Sequence, residues 1–318
     1  MATGVKIGQR LEGRLGTYLV SAQMAKNIWT ATNSQAEKFV IKTASSPRFE
    51  RERHALTHFR GRPCLRQMLD ETREPASMVL KHLDGNLLDA SAERAIDALD
   101  VKFVAKRILQ ALHALHEDGY SHTDIKPDNV LVNYSKGPLR FADVELADCG
   151  DVCRISREEY LKVGEFGPHI GAAIFRSPEA MLNLRWGPST DIWSFGATLI
   201  SLIWGLHFHI FRPDAKDVDF EDEGFLMHVL IRQLATFGPT PASYTSLIAD
   251  EDDSRWEALG TATQFIQEND RIRPFALAKD KCLTEEDKEF ILKIMRFDPR
   301  DRPTVGELLQ DKWFIGVP

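Results

Sequence analysis

The amino-acid sequence predicts an α+β fold in two unequal parts, a small β-rich lobe at about residues 18–83 and a larger helical lobe at about 84–318. Two observations carry that prediction. Short runs of β-branched and aromatic residues crowd the first part, whereas apolar stripes of helical period fill the second.

Tyr18-Leu19-Val20, Asn27-Ile28-Trp29-Thr30-Ala31, Phe39-Val40-Ile41 and Met78-Val79-Leu80 are the expected strands, with Thr32-Asn33-Ser34-Gln35 as a polar turn between the second and third. Residues 48–59 set Phe49, Leu56 and Phe59 among charges, the pattern of an amphipathic helix. Residues 101–116 repeat Val101, Val104, Ala105, Ile108, Ala111, Leu112 and Leu115 on a helical period. Residues 193–211 approach membrane length, but two serines, a threonine and two histidines make them a buried core helix instead. Residues 1–17, with Gly13 and Gly16, read as an N-terminal extension. No internal repeat or low-complexity tract interrupts the chain.

Hydrophobic content of 43% and charged content of 27% describe an ordinary globular protein. A net charge of −7 argues against direct nucleic-acid binding, because phosphate recognition needs a basic face. Cys64, Cys149, Cys153 and Cys282 lack metal-ligand spacing and read as reduced thiols, which points to the cytoplasm or nucleus. The N-terminus has no apolar core for a signal peptide, and Gly4 is not placed for myristoylation. A monomer without membrane attachment is expected.

The most informative stretch is His122-Thr123-Asp124-Ile125-Lys126-Pro127-Asp128-Asn129. It puts a carboxylate, an ammonium and a carboxamide on one short loop, the set that phosphoryl transfer uses. The stretch resembles the protein-kinase catalytic loop H-R-D-x-K-x-x-N, with threonine in the arginine place. Other motifs follow in order. Phe39-Val40-Ile41-Lys42 resembles the strand V-A-I-K, and Glu52, four residues before Leu56, matches the helix glutamate better than Glu50. Asp148-Cys149-Gly150 resembles D-F-G and is preferred over Asp143, which lacks the glycine; the Tyr134-to-Pro138 tip absorbs the long connection, 148 − 129 = 19. Residues 171–179, ending Ser177-Pro178-Glu179, resemble G-T-P-x-Y-x-A-P-E; Asp191-Ile192-Trp193-Ser194-Phe195-Gly196 resembles D-x-W-S-x-G, and Arg302 stands where kinases place the arginine that pairs with Glu179.

Such a resemblance, covering nearly the whole chain, implies the two-lobed protein kinase fold and a serine/threonine phosphotransferase using ATP and Mg²⁺. It assigns Asp124 and Lys126 to catalysis, Asn129 and Asp148 to the metal, and Lys42 with Glu52 to the ATP phosphates. Ile28, Leu80, Lys81, Leu83 and Leu131 would line the nucleotide site, with Leu80 as gatekeeper. One part of the pattern is absent: the phosphate-covering segment Ser21 to Asn27 carries no glycine. That gap favours a rival reading, a pseudokinase scaffold; a small-molecule phosphotransferase is disfavoured by the peptide-platform motifs. Thr123 removes the usual anchor for a phosphorylated loop, so activity without loop phosphorylation is expected. The wording around residues 122–129 and 175–179 is similar to SR-protein-kinase-like enzymes of filamentous fungi, which implies a basic, Arg/Ser-rich protein substrate. The acidic run at residues 214–223 is either a docking groove for such peptides or a solvated insert.

Overall fold

The computed structural model describes residues 4–318 apart from 156–168, 249 and 251. Its first part is one antiparallel sheet built from β1 (Arg10–Glu12), β2 (Thr17–Ala25), β3 (Ile28–Thr32), β4 (Lys38–Thr43), β5 (Met68–Arg73) and β6 (Ala76–Lys81). The strand order is β1-β2-β3-β4-β6-β5. Because side chains alternate along a strand, this sheet sorts its residues into two faces. Leu11, Tyr18, Val20, Trp29, Ala31, Ile41 and Val79 pack together on one. The cross-strand sets Ile28, Lys42, Met78 and Thr30, Val40, Leu80 occupy the other. Lys42 therefore shares a face with apolar residues, a position that needs a partner.

The expected N-terminal extension is corrected here from residue 10 onward, while residues 1–3 lie outside the described residues. Leu11 is fully buried and pairs with Tyr18 across the β1–β2 ladder. A bridge between Gly13 and Thr72 brings the two edges of the sheet together. Asp70 fixes that junction by accepting the Arg14 and Leu15 N–H groups at 3.1 and 2.8 Å and the Tyr18 hydroxyl at 2.9 Å. Gly13 is required, since a Cβ there would fall 2.2 Å from an Asp70 carboxylate oxygen.

Helix α1 (Pro47–His58) crosses the sheet's second face. Ser46 caps it by accepting the Phe49 N–H at 3.2 Å, and Pro47 suits its first turn. It buries Phe49, Ala55 and Leu56, and with them Glu52.

The larger lobe contains α2 (Leu87–Glu93), α3 (Ala98–Glu117), the single turn α4 (Pro178–Met181), α5 (Ser189–Trp204), α6 (Phe225–Phe237), α7 (Ser254–Glu268), α8 (Glu285–Ile294) and α9 (Val305–Leu309). Two small sheets lie at its junction with the first lobe. One is β10 (Phe141–Leu146), β9 (Val130–Tyr134) and β7 (Gly85–Asn86); the other pairs β11 (Cys153–Arg154) with β8 (Tyr120–Ser121). The β9–β10 hairpin turns at the Ser135–Gly137 tip, so the long connection between Asn129 and Asp148 is a hairpin.

Helix α5 is the buried core helix, with fourteen of its residues buried. It begins four residues before the expected segment and stops at Gly205, whose φ of +62° ends the helical path. Among the described residues no helix is long and apolar enough to cross a membrane.

Candidate active site

The loop of residues 122–129 follows α3 and β8 and is held by the start of α5. Asp191, fully buried at the start of α5, accepts the His122 N–H at 2.7 Å and the Thr123 N–H at 2.8 Å. Those two bonds hold Thr123 at φ +70°, a left-handed conformation that a β-branched residue otherwise avoids. Gly171, at φ +57°, packs against it so closely that a Cβ would lie 2.5 Å from the Thr123 carbonyl oxygen.

Asp124 comes next along the loop, and three elements converge on it. Asn129 donates its side-chain N–H groups to the Asp124 carbonyl at 2.8 Å and carboxylate at 2.9 Å. Lys126 Nζ lies 3.0 Å from the same carboxylate, and the Ala172 N–H donates to its other oxygen at 3.2 Å. Burial works to lower the Lys126 pKa, but Asp124 and then Asp128 outweigh it and raise it, so the ammonium stays charged.

Across the cleft, Lys42 meets Glu52 at 2.5 Å and Asp148 at 3.3 Å. The buried glutamate on α1 is thus explained: it partners the lysine that β4 turns toward the same space. Glu50 lies on the exposed face of α1, 2.8 Å from Arg53. Asp143 lies away from Lys42, accepting a bond from Asn133 at 2.8 Å and lying 3.6 Å from Lys81. Asp148 adopts φ +58° at the head of the Cys149–Asp151 turn. Burial pushes its carboxyl upward, yet Lys42 and Arg48 prevail and hold it below the ordinary carboxylate value.

The residues expected to line a nucleotide are less uniform. Ile28, Leu80 and Val40 line the cleft-facing side of the sheet, with Leu80 fully buried. Leu83 is buried beyond the end of β6, and Leu131 is half-buried in β9 between its pairing partners Asn86 and Glu145. The Lys81 side chain points to Glu145 at 2.6 Å. Its N–H donates to Gln67, and its carbonyl accepts bonds from Arg66. What Lys81 itself can offer a base is therefore the remaining lone pair of that carbonyl. The glycine-free segment is a β2–β3 hairpin turning at Lys26-Asn27, with Asn27 at φ +64°.

One residue of this region carries no signal in the sequence. Arg48 on α1 reaches Asp148 and Asp151, both at 2.9 Å. A basic residue on an amphipathic helix reads as solvated, and its partners lie about a hundred residues away. Cys149, by contrast, is silenced as a thiol: burial, with Glu52 and Asp148 nearby, pushes its pKa well up.

The sequence pattern that defines the protein kinase domain matches residues 13–314. This chain belongs to the protein kinase family. One relative is the serine/threonine-protein kinase ppk5 of Schizosaccharomyces pombe, 28% identical over 248 residues, which cover 75% of this chain and 27% of that protein. The chain thus matches only about a quarter of that relative's length.

Membership implies the two-lobed kinase fold, with ATP and a divalent cation as the general requirements. The donors present fit a cation bound together with nucleotide. Asn129 commits its NH₂ to Asp124, which leaves its carbonyl oxygen as the atom able to meet a metal. Among the described residues no group of three His, Cys, Asp or Glu could hold a metal alone. A hard divalent cation can be held by one or two protein oxygens plus phosphate oxygens, and Asn129 and Asp148 could offer the protein oxygens.

Beside Lys126 and Asp128 opens a cavity of about 560 Å³, lined mainly by apolar residues including Ala173, Ile174, Phe175 and Phe225. Glu179 and Arg302 form a fully buried two-bond pair at 2.7 Å each, with the guanidinium over the Trp193 ring.

Proposed function

We propose that this chain is a serine/threonine protein kinase that transfers the γ-phosphoryl group of Mg-ATP to a protein hydroxyl. The observation that carries the reading is the convergence of six polar groups from four separate stretches of the chain. Lys42, Glu52 and Asp148 meet on one side of the cleft, while Asp124, Lys126 and Asn129 meet on the other. Asp124 would accept the substrate hydroxyl's proton and orient it. Lys126 would meet charge on the moving phosphoryl group, and Lys42, held by Glu52, would steady the other phosphates. Asn129 and Asp148 would hold Mg²⁺, which supplies charge neutralisation at the phosphates when bound.

We place it nearest the SR-protein-kinase-like enzymes, acting as a cytoplasmic or nuclear monomer on a basic, Arg/Ser-rich substrate. The net charge of −7 supports that substrate, as do the exposed carboxylates Asp219, which lines the cavity beside Lys126, and Glu221 and Glu223 just after it in the chain. Asp214 and Asp217 contribute less, since Arg232 and Arg271 already face them. The pseudokinase reading keeps two observations in its favour, the glycine-free β2–β3 hairpin and the cysteine of Asp148-Cys149-Gly150. The deciding experiment is transfer of labelled γ-phosphate from Mg-ATP to an Arg/Ser-rich peptide and to a neutral serine peptide, with Asp148→Ala as control. Transfer by wild type alone is expected, stronger to the basic peptide. No transfer to either peptide, together with no nucleotide binding, would make the scaffold reading the better one.

A further inference from the structure

We propose that the Asp151 carboxylate is a built-in anchor joining α1 to the catalytic loop, doing with a fixed side chain what a phosphorylated loop does in kinases that carry arginine in the place of Thr123. The proposal rests on the kinase reading above. Its basis is the traffic through one short turn, residues 148–151. From the helix side, Arg48 reaches the Asp151 carboxylate at 2.9 Å and Arg51 approaches it at 3.7 Å. Arg51 also donates to the Gly150 carbonyl at 3.1 Å. From the loop side, the Thr123 hydroxyl donates to the Asp151 carbonyl at 3.0 Å. Asp151 is therefore touched through its side chain by α1 and through its main chain by the residue that precedes Asp124.

Helical spacing explains why this matters for catalysis. Arg48, Arg51 and Glu52 stand at i, i+3 and i+4, so they share one face of α1. Whatever holds the two arginines against the turn also holds Glu52 against Lys42. Gly150 makes the approach possible: a Cβ there would lie 2.7 Å from the Arg48 Cγ and 2.8 Å from its Nε. The glycine of Asp148-Cys149-Gly150 is thus fitted to an arginine stem passing over it. A single exposed ion pair contributes little to stability. Here two guanidiniums, a carboxylate, a carbonyl and a hydroxyl converge, and what they set is the position of a helix rather than the stability of the whole.

The test compares phosphatase-treated wild type with Asp151→Ala, Asp151→Asn and, as a control, Glu50→Ala, which breaks an ion pair on the outer face of the same helix. Two readouts are taken: kcat and KM for peptide phosphorylation, and amide hydrogen exchange along α1. Asp151→Ala is expected to lower kcat about tenfold with the peptide KM unchanged, and to speed exchange in α1. Asp151→Asn, which can still accept one guanidinium bond, should fall between. Glu50→Ala should change neither readout, and phosphatase treatment should leave wild type active. A kcat for Asp151→Ala within about twofold of wild type would overturn the anchor whether or not exchange changes, and so would loss of wild-type activity after phosphatase. Failure of the kinase reading looks different: wild type itself would show no transfer that Asp148→Ala abolishes.

Discussion

At the scale of single residues, Asp124 is the group on which the proposed chemistry depends most. Its carboxylate is buried and receives three separate donors, so it is aimed and cannot swing away. Replacing it with asparagine keeps the size but removes the proposed proton acceptor. Asp124→Asn should lower kcat about 10²- to 10⁴-fold while leaving ATP affinity within about threefold, measured by single-turnover transfer and nucleotide titration. An unchanged kcat would take Asp124 out of the reaction. Glu179 makes a different kind of prediction. It and Arg302 are both fully buried, and removing one leaves the other charge unpaired. Glu179→Ala should cost about 3–5 kcal/mol in urea unfolding, far more than any exposed pair. These residues were legible in the sequence because each sits inside a short run whose neighbours share its task. Arg48 was not, since nothing near it in the chain hints at Asp148 and Asp151.

Among the elements, α5 shows how a motif glycine serves packing. Gly196 faces α8 so closely that a Cβ would lie 2.3 Å from the Met295 sulfur and 2.7 Å from an Ile294 methyl. The helix pays in propensity for that glycine and gains a close approach. Gly196→Ala should therefore destabilise the protein by about 1–3 kcal/mol through overpacking, although alanine is the better helix former. A stabilised variant would mean that the Met295 side chain swings aside. The same scale shows what the sequence concealed. Helices α1, α3 and α5 were visible because their apolar residues recur over three turns or more. Strands β1 and β5 were not: β1 has a single apolar residue, and β5 turns Asp70 and Thr72 inward beside Met68, so most of its buried face is polar. Each is held by its ladder, β1 to β2 and β5 to β6, and Asp70 ties the two edges together by accepting from Arg14, Leu15 and Tyr18.

For the molecule as a whole, the two-lobed plan was legible in the sequence because the change from strand to helical period falls near one position. The closing of the large lobe upon itself was not, because it depends on residues far apart in the chain. Asp298 makes one such closure. It accepts from the Ser243 hydroxyl at 2.5 Å, from the Arg300 N–H and Nε at 2.9 Å each, and from Arg300 Nη2 at 2.6 Å. Arg300 in turn donates to the Ser243 carbonyl and the Ser246 hydroxyl, and the Tyr244 hydroxyl donates to the Phe297 carbonyl. Burial would raise the Asp298 carboxyl, but the bonds from Arg300 and Ser243 prevail and pull it from 3.8 down to about 2. A carboxyl whose pKa is depressed on folding contributes stability above its unfolded value and loses it as pH falls toward the folded one. The size follows from the shift, about 2 kcal/mol at neutral pH, of which about half is gone by pH 3. Asp298→Asn carries no titrating group there, so its deficit relative to wild type should shrink by about 1 kcal/mol between pH 6 and pH 3, read from urea midpoints. A deficit that stays constant over that range would show that the Asp298 carboxylate owes its stabilising role to shape rather than charge.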